Sequence, residues 1–183
     1  MVSIKDRYRL AWPYAGLPVI AAAMLITRAG RTDPLIILWY ALIIIFGYIA
    51  AVCDIKTKLI PNKLVLAMLA AWALTMPPKM FFDITSAVAL MADSALGFAI
   101  GGGLFLLVYL ISRKGLGGGD VKFMAAAGLY LGLGGTVPAI LYGTVLAALT
   151  GFALVLLKKI GRKDAMPLAP FLYAGILITV FVQ

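Results

Sequence analysis

Long apolar runs separated by short polar stretches dominate the pattern of hydrophobic and polar positions along the chain. A membrane-spanning helix needs about 20 largely apolar residues to cross the roughly 30 Å hydrocarbon layer of a bilayer. Seven runs approach this length and are predicted to be helices, at residues 10–26, 34–53, 62–76, 94–112, 121–133, 136–157 and 167–182. The predicted fold is therefore all-α: a polytopic membrane helix bundle with about six core transmembrane helices and one extra N-terminal helix.

Local signals set the predicted boundaries. We divide the chain into an N-terminal helix with its flank, residues 1–33, and a membrane domain, residues 34–183. Pro77 and Pro78 are predicted to end the third span, because proline cannot donate a helical hydrogen bond. Asp93 precedes an apolar run and is predicted to cap the fourth span. The preceding stretch, 81–91, is then expected to lie along the outer membrane interface.

Pairs of glycines also recur at helical spacing within the predicted spans. Gly97 precedes Gly101 by four residues, and Gly128 precedes Gly132 by the same interval. Small residues at this spacing let helix backbones approach closely in lipid, where packing drives association. We therefore predict that these glycines serve helix packing rather than chemistry.

The composition agrees with a membrane protein and changes the meaning of the charge. The chain of 183 residues is 64% hydrophobic and 13% charged, with a mean hydropathy of +1.07, which is too apolar for an ordinary soluble domain. A net charge of +9 would suggest nucleic acid as the partner of a soluble protein. Here the basic residues fall in short loops between apolar runs, so we predict no nucleic-acid binding and assign them to orientation and anionic lipid contact.

The distribution of basic residues predicts the orientation of the chain. With seven spans, thirteen of the sixteen basic residues fall on one side of the membrane, and positive loops stay in the cytoplasm. They are Lys5, Arg7, Arg9, Lys56, Lys58, Lys63, Arg113, Lys114, Lys122, Lys158, Lys159, Arg162 and Lys163. We therefore predict a multi-pass protein of the inner (cytoplasmic) membrane, with a cytoplasmic N-terminus and an external C-terminus. Only Arg28, Arg31 and Lys79 lie on the outer side.

Missing residue types limit the chemistry. The chain has no histidine and one cysteine, Cys53, which excludes histidine-assisted nucleophiles and multi-cysteine or histidine metal sites. Hydrolytic chemistry would have to rest on carboxylates, lysine or tyrosine. We predict no metal and no cofactor.

Two aspartates stand at the cytoplasmic ends of different predicted spans. Asp54 ends one apolar run, and Asp120 follows the glycines Gly117, Gly118 and Gly119. Ionisable groups are expensive to keep within a membrane, so a functional role is the default hypothesis. Two carboxylates that share a low-dielectric site cannot both ionise cheaply, and such a pair suits an aspartic protease. The glycines would leave an unwound backbone against which an extended substrate strand could pair.

Simpler roles are compatible with the same residues. Asp120 could be a helix N-cap, and Asp54 could be a charge at the membrane interface. Lys122 could influence a carboxylate or touch a substrate carbonyl, or it could extend to the interface. Pro61 and Asn62 are expected to set the turn after Asp54, with Asn62 as the N-cap of the next helix and with direct substrate contact as the alternative.

Three strings in order resemble one family. Gly117 to Asp120 form a GxGD motif, Asp54 opens DIKTKLIPN, and MPLAPFL follows at residues 166–172. Together they resemble type IV prepilin peptidases, over roughly residues 34–183. The resemblance implies a membrane aspartyl endopeptidase with Asp54 and Asp120 as its catalytic pair. Its substrate would be a prepilin or pseudopilin with a short basic leader that is cut on the cytoplasmic side.

The resemblance is to the short members of that family, such as those of tight-adherence (Flp) pili or archaeal flagellar systems. Larger members carry a cytoplasmic cysteine-motif domain linked to N-methylation, and one cysteine with no long loop between the first spans implies that this domain is absent. Two rival hypotheses remain. One is a small transporter that relays protons or cations through Asp54 and Asp120. The other is a GxGD protease that cuts near the middle of a membrane helix.

Overall fold

The computed structural model describes residue 23 and residues 32–112, 116–158 and 166–182. Within these ranges the chain forms five helices and no strand, so the predicted all-α class is confirmed for them. The helices are α1 (Pro34–Thr57), α2 (Asn62–Phe82), α3 (Ile84–Ile111), α4 (Gly118–Leu156) and α5 (Ala169–Val182). Four of them, α1 to α4, are long and apolar enough to cross a membrane, and α5 is a shorter apolar helix. The predicted helix over 10–26, on which the division at residue 33 depends, lies outside the described residues apart from Ala23.

The longest helix, α4, is broken at Gly132. Its 39 residues would extend about 58 Å as a straight helix, roughly twice the hydrocarbon thickness. Gly132 instead adopts φ 63° and ψ −174°, a combination that is essentially restricted to glycine. The break divides α4 into a first arm, residues 118–131, and a second arm, residues 133–156.

The two arms of α4 run in opposite directions along α3. Gly97 lies against Gly128 and the break itself. Gly101, one helical turn further along α3, lies against Met124 of the first arm and Thr136 of the second. Going from Gly97 to Gly101 along α3, the contacting residue numbers therefore fall along the first arm and rise along the second. A side chain on Gly97 or Gly128 would collide with the backbone of the neighbouring helix, which confirms the predicted packing role of these glycines.

The first arm of α4 is the most enclosed part of the bundle. Every residue from 123 to 132 is buried, and Phe123 and Met124 are fully so. The Tyr130 ring packs edge-on against Trp39 of α1, and its hydroxyl donates to the Met68 carbonyl of α2. This central position fixes the place of Asp120, which lies at the start of the same arm.

The predicted end of the third span was wrong. Helix α2 passes through Pro77 and Pro78 and continues to Phe82. The fixed φ of proline is itself helical, and membrane helices tolerate the lost hydrogen bonds where neighbouring groups compensate. Beyond the prolines the helix is held by an ion pair from Lys79 to Asp33, the residue that caps α1.

The predicted start of the fourth span was also wrong. Helix α3 begins at Ile84, so the stretch 81–91 does not form a separate interfacial segment. Asp83 is the N-cap, and its carboxylate accepts from the Ser86 N–H at 3.1 Å. The segment between Asp83 and Asp93 is apolar and free of proline, so the helix begins at the earlier of the two capping signals.

Candidate functional site

Asp54 lies in the last turn of α1 and is only 6% exposed. The helix ends at Thr57, and its C-cap Lys58 adopts the left-handed conformation with φ 53°. The Lys58 N–H donates to the Asp54 backbone carbonyl at 2.8 Å, which closes the final turn. Residues 59–62 after this reversal line the same cavity as Asp54, and Ile60 is buried. Asp54 is therefore a buried carboxylate and not an exposed interfacial charge.

Asp120 lies in the first turn of α4 and is 8% exposed. Gly117 is the N-cap, with extended backbone dihedrals, and the Asp120 N–H donates to the Gly117 carbonyl at 3.1 Å. The alternative in which Asp120 caps the helix is thus excluded. Its Oδ1 atom is buried and has no hydrogen-bond partner among the described residues. A buried carboxylate oxygen requires a partner, and a water or substrate group in the adjoining cavity could supply one.

The structure brings the two carboxylates to one cavity of about 400 Å³. They lie close enough for their charges to interact, as the sequence predicts. The cavity is lined by Asp54, Lys58, Leu59, Ile60, Pro61, Asn62, Gly117, Gly118, Gly119, Asp120 and Lys122. Every residue proposed from the sequence as part of the site therefore lines the same space.

The three glycines before Asp120 have different surroundings. A methyl group on Gly117 would come within 3.0 Å of Asp120 Oδ2, and one on Gly119 within 3.2 Å of Ile60 Cβ. On Gly118 the nearest atom would be a ring carbon of Tyr109 at 4.0 Å. Only Gly117 is extended, while Gly118 and Gly119 already belong to α4. The predicted unwound backbone is therefore limited to Gly117 among these three glycines, and Gly118 is the open position on the cavity wall.

Lys122 and Asn62 join two walls of the cavity. The Lys122 ammonium donates to Asn62 Oδ1 at 3.1 Å, across 60 residues of sequence. Pro61, not Asn62, is the N-cap of α2, and the Pro61 carbonyl accepts from the Leu64 N–H at 3.0 Å. The prediction of Asn62 as the cap was wrong, because the carbonyl of Pro61 satisfies the first turn and leaves the asparagine amide for Lys122. The side chains of Lys122 and Asn62 are exposed, and both residues line the cavity.

A third segment, which sequence reasoning did not assign to the site, also reaches it. The Ala169 backbone N–H, at the start of α5, donates to Asp54 Oδ2 at 3.0 Å. Both groups are buried, and they are separated by 115 residues. The string MPLAPFL contains Ala169 and was noticed for its resemblance, but a backbone donor leaves no mark in a pattern of side chains. Pro170 was the available signal, because proline favours the first turn of a helix.

The other described carboxylates lie away from this cavity. Asp33 and Asp83 lie near Lys79, and the hydrogen bond from Lys79 lowers the pKa of Asp33. Asp93 is in the interior of α3 and accepts from the Leu133 N–H at 3.0 Å. It was predicted to cap its own helix, but it caps the second arm of α4 instead. No group of three metal-ligating side chains occurs in the described ranges.

The fold and the site define the class of this protein. It is a membrane helix bundle in which two buried carboxylates from different helices lie beside a glycine-capped helix start. Residues 35–156 match the type IV leader peptidase family, and the chain belongs to that family. The resemblance drawn from the three strings is confirmed.

Several curated relatives match most of the chain. One from Bacillus subtilis (strain 168) is 31% identical over 170 residues, which are 92% of this chain and 65% of the relative. One from Pectobacterium carotovorum subsp. carotovorum is 32% identical over 183 residues, covering 94% of this chain and 60% of the relative. A third, from Aeromonas salmonicida (strain A449), is 25% identical over 176 residues, covering 93% of this chain and 56% of the relative. Each is named a prepilin leader peptidase/N-methyltransferase.

The chain therefore spans between 56% and 65% of the length of these three relatives. No solved structure gives a significant match.

Proposed function

We propose that this protein is an aspartic endopeptidase that removes the short basic leader from prepilin or pseudopilin precursors at the cytoplasmic face of the membrane. Family membership and the names of the relatives support the substrate class. The observation that carries the proposal is the pair of buried carboxylates, Asp54 and Asp120, on one cavity. The transporter hypothesis gains no support from the family.

The proposed chemistry is general acid and base catalysis by the pair, with neither metal nor cofactor. The ionised carboxylate takes a proton from water while the water oxygen attacks the scissile carbonyl carbon. The protonated carboxyl donates to the carbonyl oxygen as the tetrahedral intermediate forms. The carbon–nitrogen bond then breaks as the leaving nitrogen takes the proton that the first carboxylate removed from water, and a hydroxyl of the tetrahedral intermediate returns a proton to the second carboxylate. Two interacting carboxylates that hold one proton between them provide both functions at once.

The cavity wall suits an extended peptide. Gly118 leaves backbone accessible beside Asp120, so a substrate strand could approach it without meeting a side chain. We propose that Gly117 and Gly119 support this loop, and that Pro61, Asn62 and Lys122 bound the space through which the leader enters. Lys122 and Lys58 both line the cavity, so a basic leader gains no attraction from their charges.

We propose six crossings for the described helices, with both arms of α4 counted separately, and a seventh for the N-terminal run at 10–26. The reversal at Gly132 supports this count. Asp54 and Asp120 then lie at the end of the bundle where thirteen of sixteen basic residues fall, which makes that end cytoplasmic. The N-terminus is accordingly cytoplasmic, the C-terminus is external, and the exposed apolar helix surfaces contact membrane lipids.

The proposal for these 183 residues covers peptide cleavage and not methyl transfer. The relatives carry both activities in their names. The cysteine-motif domain that the resemblance associates with methylation cannot be built from the single Cys53 of this sequence.

The test is leader removal from a co-expressed prepilin. We expect Asp54→Asn and Asp120→Asn each to abolish cleavage while the protein still accumulates in the membrane, because either change removes one half of the acid and base pair. Asp83→Asn, a remote and exposed carboxylate, is the matched control and should cleave normally. Retained cleavage in either dyad variant would refute the assignment, and solute movement without cleavage in sealed vesicles would favour the transporter.

A further inference from the structure

The start of α5 offers one backbone donor to the site. Four N–H groups at the beginning of a helix lack partners within the helix. In α5, Pro170 has no N–H, and the N–H groups of Phe171 and Leu172 both donate to the Leu168 carbonyl, at 3.0 and 3.2 Å. Ala169 keeps the remaining N–H of this turn, and that group points at Asp54 Oδ2.

This contact restricts where the proton of the carboxylate pair can reside. An N–H group only donates, so the oxygen that it holds must accept. A carboxylate or carbonyl oxygen accepts more strongly than a hydroxyl oxygen, so this contact favours Asp54 Oδ1 or the Asp120 carboxyl as the site of the proton. The bond also fixes the rotation of the Asp54 carboxylate about its side chain.

The neighbouring helices hold α5 in this position. A methyl group on Gly143, in the second arm of α4, would come within 2.9 Å of the Leu172 Cα. A methyl group on Gly47 of α1 would come within 2.7 Å of the Tyr173 ring. Because neither glycine carries a side chain, α5 packs tightly against both helices, and the Ala169 N–H has little room to move away.

We infer that Ala169 is a positioning residue: its backbone N–H orients the Asp54 carboxylate for the reaction. The catalytic consequence rests on the proposed peptidase function, whereas the contact itself does not. The residue acts through Asp54 and needs no contact with the substrate. Its side chain carries none of this role, because the donor belongs to the main chain.

Proline at position 169 suits the first turn of the helix, removes the donor, and places a ring carbon where the hydrogen bonded to Asp54 Oδ2 lay. Position 169 is the first of the helix, where proline is well tolerated. We expect Ala169→Pro to lower kcat by roughly 10- to 100-fold, the loss that misplacement of a reacting group can cause, with KM nearly unchanged. Ala169→Gly keeps the N–H and is the matched comparison, and it should lose much less kcat than Ala169→Pro. Parent-like kcat in Ala169→Pro, or an equal loss in Ala169→Gly, would overturn the inference.

A second measurement does not depend on cleavage. Hydrogen–deuterium exchange of the peptide that contains residues 166–172, read by mass spectrometry, reports the protection of the Ala169 amide. We expect Asp54→Ala to speed the exchange of one amide in that peptide, while Asp120→Ala leaves it unchanged. Equal protection in the parent and Asp54→Ala would overturn the inference even if Ala169→Pro failed to accumulate. Faster exchange in Asp54→Ala, together with a parent protein that cleaves no prepilin, would uphold the contact and refute the proposed function instead.

Discussion

Replacing Gly132 with alanine tests the break in α4 on which the arrangement of the bundle depends. The residue has φ 63° and ψ −174°, a conformation that costs a side-chain-bearing residue about 1–3 kcal/mol. The added methyl group would also overlap the Asp93 carboxylate, which caps the second arm through the Leu133 N–H. Losing a cap of this kind costs about 0.5–2 kcal/mol.

The two contributions together predict that Gly132→Ala lowers the free energy of unfolding by about 1.5–5 kcal/mol. For a chain of this size, that corresponds to a drop in Tm of roughly 3–20 °C. The assay is thermal unfolding of the purified protein in detergent, with accumulation in the membrane as a second measurement. Asp93→Ala should show the capping loss alone, because it removes the acceptor without adding a methyl group at the break.

Gly103→Ala is the matched control for the same substitution. Gly103 lies within α3, and an added methyl group would meet no atom within 4 Å. Alanine also favours the helix over glycine by about 1 kcal/mol, so this variant should be as stable as the parent or slightly more so. If Gly132→Ala and Gly103→Ala melted at the same temperature, the left-handed break and its cap would have no part in stability, and the reasoning would fail.

Two further predictions concern charge and metal. Lys79→Met should destabilise the protein only slightly near neutral pH, since its ion pair with Asp33 is partly exposed. Lys79 lowers the folded-state pKa of Asp33 below its ordinary value of 3.8, so the pair stabilises above that pH and its contribution disappears as pH falls through the folded pKa. Unfolding curves of the parent and Lys79→Met should therefore converge in acid, and a difference that grew as pH fell would contradict this. Separately, chelators should leave prepilin cleavage intact in a membrane assay, because the proposed pair needs no metal; strong inhibition that added metal reverses would count against it.

The sequence predicted the large features because lipid imposes them. Spans follow from the length of apolar runs, and the approach of Gly97 to Gly128 follows from four-residue spacing. Asp54 and Asp120 were paired because each stands at the basic end of a span, and the structure places both on one cavity. These inferences need only composition and periodicity.

Other features depended on choices that local sequence leaves open. Asp83 and Asp93 carry equivalent capping signals, and only the packing of α3 against both arms of α4 assigns one to each helix. Pro77 and Pro78 were predicted to end the third span, yet the helix continues to Phe82, and Lys79 beyond the prolines forms an ion pair with Asp33. The donor from Ala169 was invisible, because it is a backbone group brought to Asp54 from a distant part of the chain.

The separation of Asp54 and Ala169 in the sequence has a consequence for biosynthesis. A ribosome has made both aspartates before it reaches α5, since Ala169 follows Asp54 by 115 residues. With the role proposed for Ala169, the acid pair acquires its working orientation only after α5 has entered the bilayer. A nascent chain in which α5 has not yet been inserted therefore carries an unfinished hydrolase, and the insertion of α5 completes it.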